Sequence, residues 1–314
     1  DIASANPNEV TVNTATMTFT NGNYNIAQNV TVTAVNDVVD DGNTITNVDF
    51  QIDQPNTADP VWLATPDVNM AVTATDDDTA NFTLTESGGS TSTDETGATD
   101  TVTIVLTSQP TDVVVIDVSI AGGDATEVSL SSSRFTFQPA SWNTVQTLVL
   151  TGLDETTADG NIANTINFDI NTGLTLDSTY DSVGQKTVTN TNVDNDNIGL
   201  TLVCCGDGGP GTSDGTAGPI SEDAGSNTMT VVLYSQPTGN VVLDVVDLYT
   251  GLATSSPAQL TFTTGNWDTP QTVTTSSVDD NIYREDPIAI TRIDPNAGLS
   301  ADAAYGALGN ESRR

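Results

Sequence analysis

Five residues after each of three phenylalanines stands another aromatic ring, and the match continues along the chain. Phe19 leads to Tyr24, Phe137 to Trp142 and Phe262 to Trp267, and four residues later come Gln28, Gln146 and Gln271. A Thr/Val-rich run then reaches an acidic turn at Asn36-Asp37, Asp154-Glu155 and Asp279-Asp280. The phenylalanines lie 118 and 125 residues apart, so the chain is read as a domain of about that size repeated in tandem.

The segments between these landmarks alternate β-branched residues with Thr, Ser or Asp, as in 29–35, 100–106, 113–118 and 228–233. Alternation with period two gives a strand one core face and one wet face. Turn clusters of Gly, Asp, Asn and Pro separate the runs, and Ser108-Gln109-Pro110-Thr111 recurs as Ser235-Gln236-Pro237-Thr238. No amphipathic helix stands out. The expected fold is all-β, a tandem array of antiparallel immunoglobulin-like sandwiches.

Asp59, Asp177 and Asp302 each precede an aromatic by three residues (Trp62, Tyr180, Tyr305). Acidic clusters at Asp76-Asp77-Asp78 and Asp194-Asn195-Asp196 follow fourteen residues after the first two of these rings. The units therefore run 1–78, 79–197 and 198–314. Ile2-Ala3 and Glu9-Val10-Thr11-Val12 match Ile120-Ala121 and Glu127-Val128-Ser129-Leu130, so the first unit is expected to lack its opening strands. The third is expected to lack its last strand. Two explanations stand side by side: a window on a longer array, or strands exchanged between subunits by β-augmentation.

Composition limits what such an array can do. Asp accounts for 34 and Glu for eight of the 42 acidic residues, against one lysine and five arginines, giving a net charge of −36. A phosphate backbone needs a basic surface, so nucleic acid is not expected as a partner. Short Asp side chains suit turns and cation-binding loops. Histidine is absent, which removes the commonest general base and transition-metal ligand. Asp/Glu pairs are too common for any one to mark a glycosidase, so no catalytic residue is assigned and no enzyme is expected. No apolar run approaches membrane-spanning length, so membrane insertion is not expected either.

The pattern resembles the Calx-β family of calcium-binding sandwiches. The resemblance is carried by Thr85-Glu86-Ser87-Gly88 opening the second unit and Ser221-Glu222-Asp223 opening the third, with the aromatic run, the acidic turn and the terminal Asp cluster. It implies seven-stranded sandwiches with calcium sites at one end, near the junction between units. Calcium takes six to eight oxygen ligands, so carboxylates from separate turns must converge. The second unit offers Glu86, Asp154, Glu155, Asp159, Asp194 and Asp196. The first offers Asp37, Asp40, Asp41, Asp76, Asp77 and Asp78, and the third Glu222, Asp279, Asp280 and Glu285. Only the second has ligands at its opening, turn and end, so a complete site is expected there alone.

Cys204-Cys205 opens a Gly-rich insertion, 204–218, found in no other unit. A strained vicinal disulfide, links to another subunit and two free thiols are all open. Tyr24, Trp142 and Trp267 share one template position, which favours a structural role over a sugar-binding platform. The function expected is a structural component of an extracellular filament, sheath or surface layer, built from calcium-stiffened repeats. Its partners are copies of itself joined head to tail, or further repeats of a longer chain. The alternative is an adhesin segment whose 204–218 loop binds a surface ligand.

Overall fold

The computed structural model describes residues 1–204, 220–221, 223, 225–284 and 287–309, and the backbone of 311–313. The chain is all-β, and its strands form pairs of sheets that repeat along the sequence. In the second unit, one sheet has the order Val128–Leu130, Gln146–Gly152, Thr99–Leu106, Phe82–Glu86. The facing sheet runs Arg134–Phe137, Val114–Gly122, Ile162–Ile170, Lys186–Val193, Thr91–Asp94. Their inner faces follow the period of two: Val102, Ile104 and Leu106 are buried, while Thr101, Thr103 and Val105 are not. Phe82, Phe137, Leu148, Leu150, Ile166 and Phe168 fill the space between the sheets.

One pairing departs from the antiparallel expectation. Thr91–Asp94 lies parallel to Lys186–Val193 in the second sheet, although Phe82–Glu86 belongs to the first. The chain crosses between sheets at Gly88 and Gly89, whose positive φ values (65° and 85°) suit residues without a Cβ. This crossing carries residue 95 to the end of the sandwich.

The third unit repeats the plan with four strands in each sheet. A strand stands where its last one was expected to be missing. Glu311–Arg313 pairs antiparallel with Thr291–Pro295 and starts six residues after Tyr305, just as Lys186–Val193 starts six after Tyr180. In the first unit the described strands form a three-stranded and a two-stranded sheet. Its core is correspondingly thin: Phe19 is 53% exposed, whereas Phe137 and Phe262 at the same template position are 0% exposed. Trp62 is 57% exposed and Tyr180 and Tyr305 are each 1% exposed.

The Ser-Gln-Pro-Thr turn explains why the two tyrosines are buried. The Tyr180 hydroxyl donates to the Ser108 carbonyl (2.6 Å), and Tyr305 does the same to Ser235 (2.8 Å). The Asp177 carboxylate accepts from the Thr111 amide (2.7 Å), and Asp302 accepts from Thr238 (2.8 Å). The same turn reaches outward. The Gln109 amide donates to the Val38 carbonyl (2.6 Å), and the Gln236 amide to the Thr156 carbonyl (2.6 Å). Each acceptor lies in the acidic turn of the preceding unit, so the two junctions are one contact used twice. Removing the Tyr180 hydroxyl takes the partner from the Ser108 groups in a dry site, which costs about 1–2 kcal/mol. Tyr180→Phe should therefore lower stability by that amount in denaturant unfolding, while Trp62→Phe should leave it nearly unchanged.

Candidate metal centre

Four separate stretches of the second unit place carboxylates at one end of the sandwich. Glu95 follows Thr91–Asp94, and Glu127 precedes Val128–Leu130. Glu155 and Asp159 lie in the turn between Gln146–Gly152 and Ile162–Ile170, and Asp194 and Asp196 follow Lys186–Val193. Carboxylate oxygens of Glu95, Glu127, Glu155 and Asp159 all lie within 4.8 Å of one another. A second group with the same spacing joins Glu95 to Asp194 and Asp196. Glu95 is therefore shared between two adjoining clusters.

The backbone at Gly152 makes this convergence possible. A Cβ there would stand 2.0 Å from the Asp94 carbonyl oxygen and 2.5 Å from Asn192 Oδ1. Only glycine lets Asp94 lie against that strand end, which turns Glu95 inward. Glu95 and Glu127 are each only 2% exposed. Glu95 accepts from the Asn195 amide (2.8 Å), and Glu127 accepts from Asn192 Nδ2 (2.9 Å). Asn192 in turn accepts from Thr93 Oγ1 (2.9 Å), so a side-chain relay fixes the Glu127 carboxylate. Glu155 Oε1 and Asp196 Oδ2 are buried with no hydrogen-bond partner. Buried acceptors are normally satisfied, so these two oxygens are the ones best placed to take a cation.

Electrostatics support the same reading. Burial pushes the Glu95 carboxyl up to about 7, with Asp194, Glu127 and Glu155 adding repulsion and the Asn195 amide opposing. Burial also raises Glu127, Asp159 and Asp196, again reinforced by neighbouring carboxylates. Among the described residues, the ion pairs of Arg134, Arg284 and Arg292 go to other carboxylates, and Lys186 Nζ donates to the Phe82 carbonyl. Oxygen-only ligands on several loops, with a shared carboxylate, suit hard cations of the calcium type.

The first unit repeats much of the frame. Glu9, Asp37 and Asp41 form one group, Asp76, Asp77 and Asp78 another, and all six line one cup. The Gly42 amide donates to Asp76 (2.7 Å) as Gly160 does to Asp194 (2.6 Å). The Asp78 amide donates to Asp76 (2.8 Å) as Asp196 does to Asp194 (2.6 Å). The first unit therefore gathers two carboxylate groups of its own, although a complete site was expected in the second alone. Nothing in the sequence marks Glu9 as a candidate, because it ends a polar loop rather than an acidic run.

Several sequence candidates are placed elsewhere. Glu86 accepts from Thr91 Oγ1 (2.7 Å) and is outside both clusters, because the sheet crossing hands its role to Glu95. Asp40 accepts from the Ala80 amide (2.7 Å) and so braces the start of the second unit. Asp154 stands beside the cup, 3.4 Å from Asn195 Nδ2, and joins neither group. Asp280 pairs with Arg284, and neither it nor Asp279 belongs to a cluster among the described residues. Cys204 ends the strand Leu200–Cys204 with a buried side chain. Glu222, Glu285, Cys205 and the rest of the 204–218 loop lie outside the described residues.

No family model matches the chain, and no curated protein matches it. Solved structures similar to it include CBD12 from CALX1.2, at 11% identity and a TM-score of 0.28, covering 68% of this chain and 79% of that one. The apo-form Calx CBD1 domain matches at 12% identity and a TM-score of 0.28, covering 37% and 98%. Surface layer protein SbsC, domains 4–9, matches at 15% identity and a TM-score of 0.26, covering 99% and 38%. At these scores the likenesses carry no argument about function; the case for a metal centre rests on the clustered carboxylates.

Proposed function

We propose that this chain is a structural segment of an extracellular filament, sheath or surface layer, with sandwich units stiffened by calcium at their ends. The observation that carries this reading is the position of the cups. Asp37 and Asp41 belong to the same turn whose Val38 carbonyl receives the next unit's Gln109. Glu155 and Asp159 flank Thr156, whose carbonyl receives Gln236. An ion that fixes the acidic turn therefore also fixes the platform on which the next unit is seated. Without it, like charges within one turn repel and the platform loosens.

The partners proposed are copies of the same chain or further repeats. Phe19, Ile26, Trp62 and Val68 support this, since all are exposed on the first unit and their covering would bury apolar surface. Small-angle scattering of the chain in millimolar calcium and in EGTA tests the stiffening. The expected result is a longer, narrower distance distribution with calcium. Superimposable curves in the two buffers would remove the mechanical role.

A further inference from the structure

The third unit has the frame of the cup but different side chains in it. The Leu153 amide donates to the Glu127 carbonyl (2.9 Å), and the Val278 amide donates to the Leu252 carbonyl (3.0 Å). Leu252 thus occupies the position of Glu127. Beyond that bond the two turns stay in step, because Asp169 pairs with Asp117 in one sandwich as Asp294 pairs with Asp244 in the other. Asp279 and Asp280 then correspond to Asp154 and Glu155, and Arg284 takes the position of Asp159. The Arg284 guanidinium donates to the Asp280 carboxylate at 2.7 Å, and both side chains are less than one-third exposed.

We propose that Arg284 is the resident cation of the third cup, so that this unit keeps its acidic turn ordered without a divalent ion. Three carboxylates of the second unit, Glu127, Glu155 and Asp159, become an alkyl chain, a carboxylate and a guanidinium. Their formal charge goes from −3 to zero. A divalent ion gains less from this reduced set of carboxylates and is repelled by the guanidinium. A tethered guanidinium needs no free ion and keeps its charge at every accessible pH. Calcium control then acts on the first two units and passes over the third. This inference rests on the calcium reading of the other two cups.

Hydrogen–deuterium exchange on the whole chain, in calcium and in EGTA, reads each turn separately. Segments 36–42 and 154–160 should exchange about tenfold more slowly with calcium, while 279–284 should be the same in both buffers. Arg284→Ala should speed exchange of 279–284 in both buffers. Arg284→Asp combined with Leu252→Glu should make that segment calcium-dependent. Calcium protection of 279–284 in the wild-type chain would overturn the proposal, as would unchanged exchange there in Arg284→Ala. If calcium leaves 36–42 and 154–160 unaffected, the calcium reading fails by itself, while the Arg284→Ala result still decides the role of the arginine.

Discussion

Chelating calcium at pH 7.5 should lower the melting temperature of the second unit by about 10 °C. Binding at a hundredfold excess over the dissociation constant contributes about 2.7 kcal/mol, and a domain of this size shifts by several degrees per kcal/mol. The effect should depend on pH with a definite sign. Glu95 has a folded-state value of about 7, above that of an unfolded glutamate. Between about pH 4.5 and 7 the folded chain therefore holds more protons than the unfolded chain, and stability falls as pH rises. In EGTA the unit should melt higher at pH 5 than at pH 7.5. With calcium present the trend should reverse, because the ion replaces the proton and binds best when the carboxylates are ionised. A melting temperature that ignores both calcium and pH across this range would contradict the cup geometry.

Glu95→Gln should separate the cost of the empty cup from its use. Glu95 is shared by both clusters of the second unit and is almost fully buried, so its charge is the hardest to accommodate without an ion. The glutamine keeps the shape and can still accept from the Asn195 amide. In EGTA at pH 7.5 the variant should melt at or above the wild type. With calcium it should lose most of the stabilisation, since losing a shared ligand weakens binding by at least about tenfold, or about 1.4 kcal/mol. Glu86→Gln is the control, because Glu86 lies outside both clusters, and it should change calcium dependence very little.

The contrast between Glu86 and Glu95 shows how far the sequence could be read. Strand character, the repeat and the acidic ends of the units were legible because each rests on local pattern: period-two burial, a fixed aromatic spacing, runs of Asp. The opening ligand was not, because the Gly-rich insertion falls between the third unit's first strand and Glu222 and obscures the match. Counting back from the Ser-Gln-Pro-Thr turn removes the ambiguity. Glu95 and Glu222 each stand thirteen residues before their Ser108 or Ser235, while the strand register matches Glu86 with Cys204, on the far side of the insertion. Glu127 and Glu9 were visible as matching residues, but a lone Glu before an apolar strand gives no hint of burial. What brings Glu95 and Glu127 into the cluster is tertiary: Gly152 admitting the Asp94 backbone, and Asn192 reaching across to Glu127. The third unit's arginine was readable in principle, since Arg284 lies 125 residues after Asp159, the same step that separates Phe137 from Phe262.

Calorimetric titration of calcium into the metal-stripped chain at pH 7.5 tests the central claim most directly. The account predicts saturable binding that releases protons, as the Glu95 value of about 7 requires. The measured heat should therefore change with the ionisation enthalpy of the buffer, and Glu95→Gln should weaken the binding and reduce that dependence. A chain that takes up no calcium at millimolar concentration, or binds it with no proton release and equal affinity in Glu95→Gln, would contradict it.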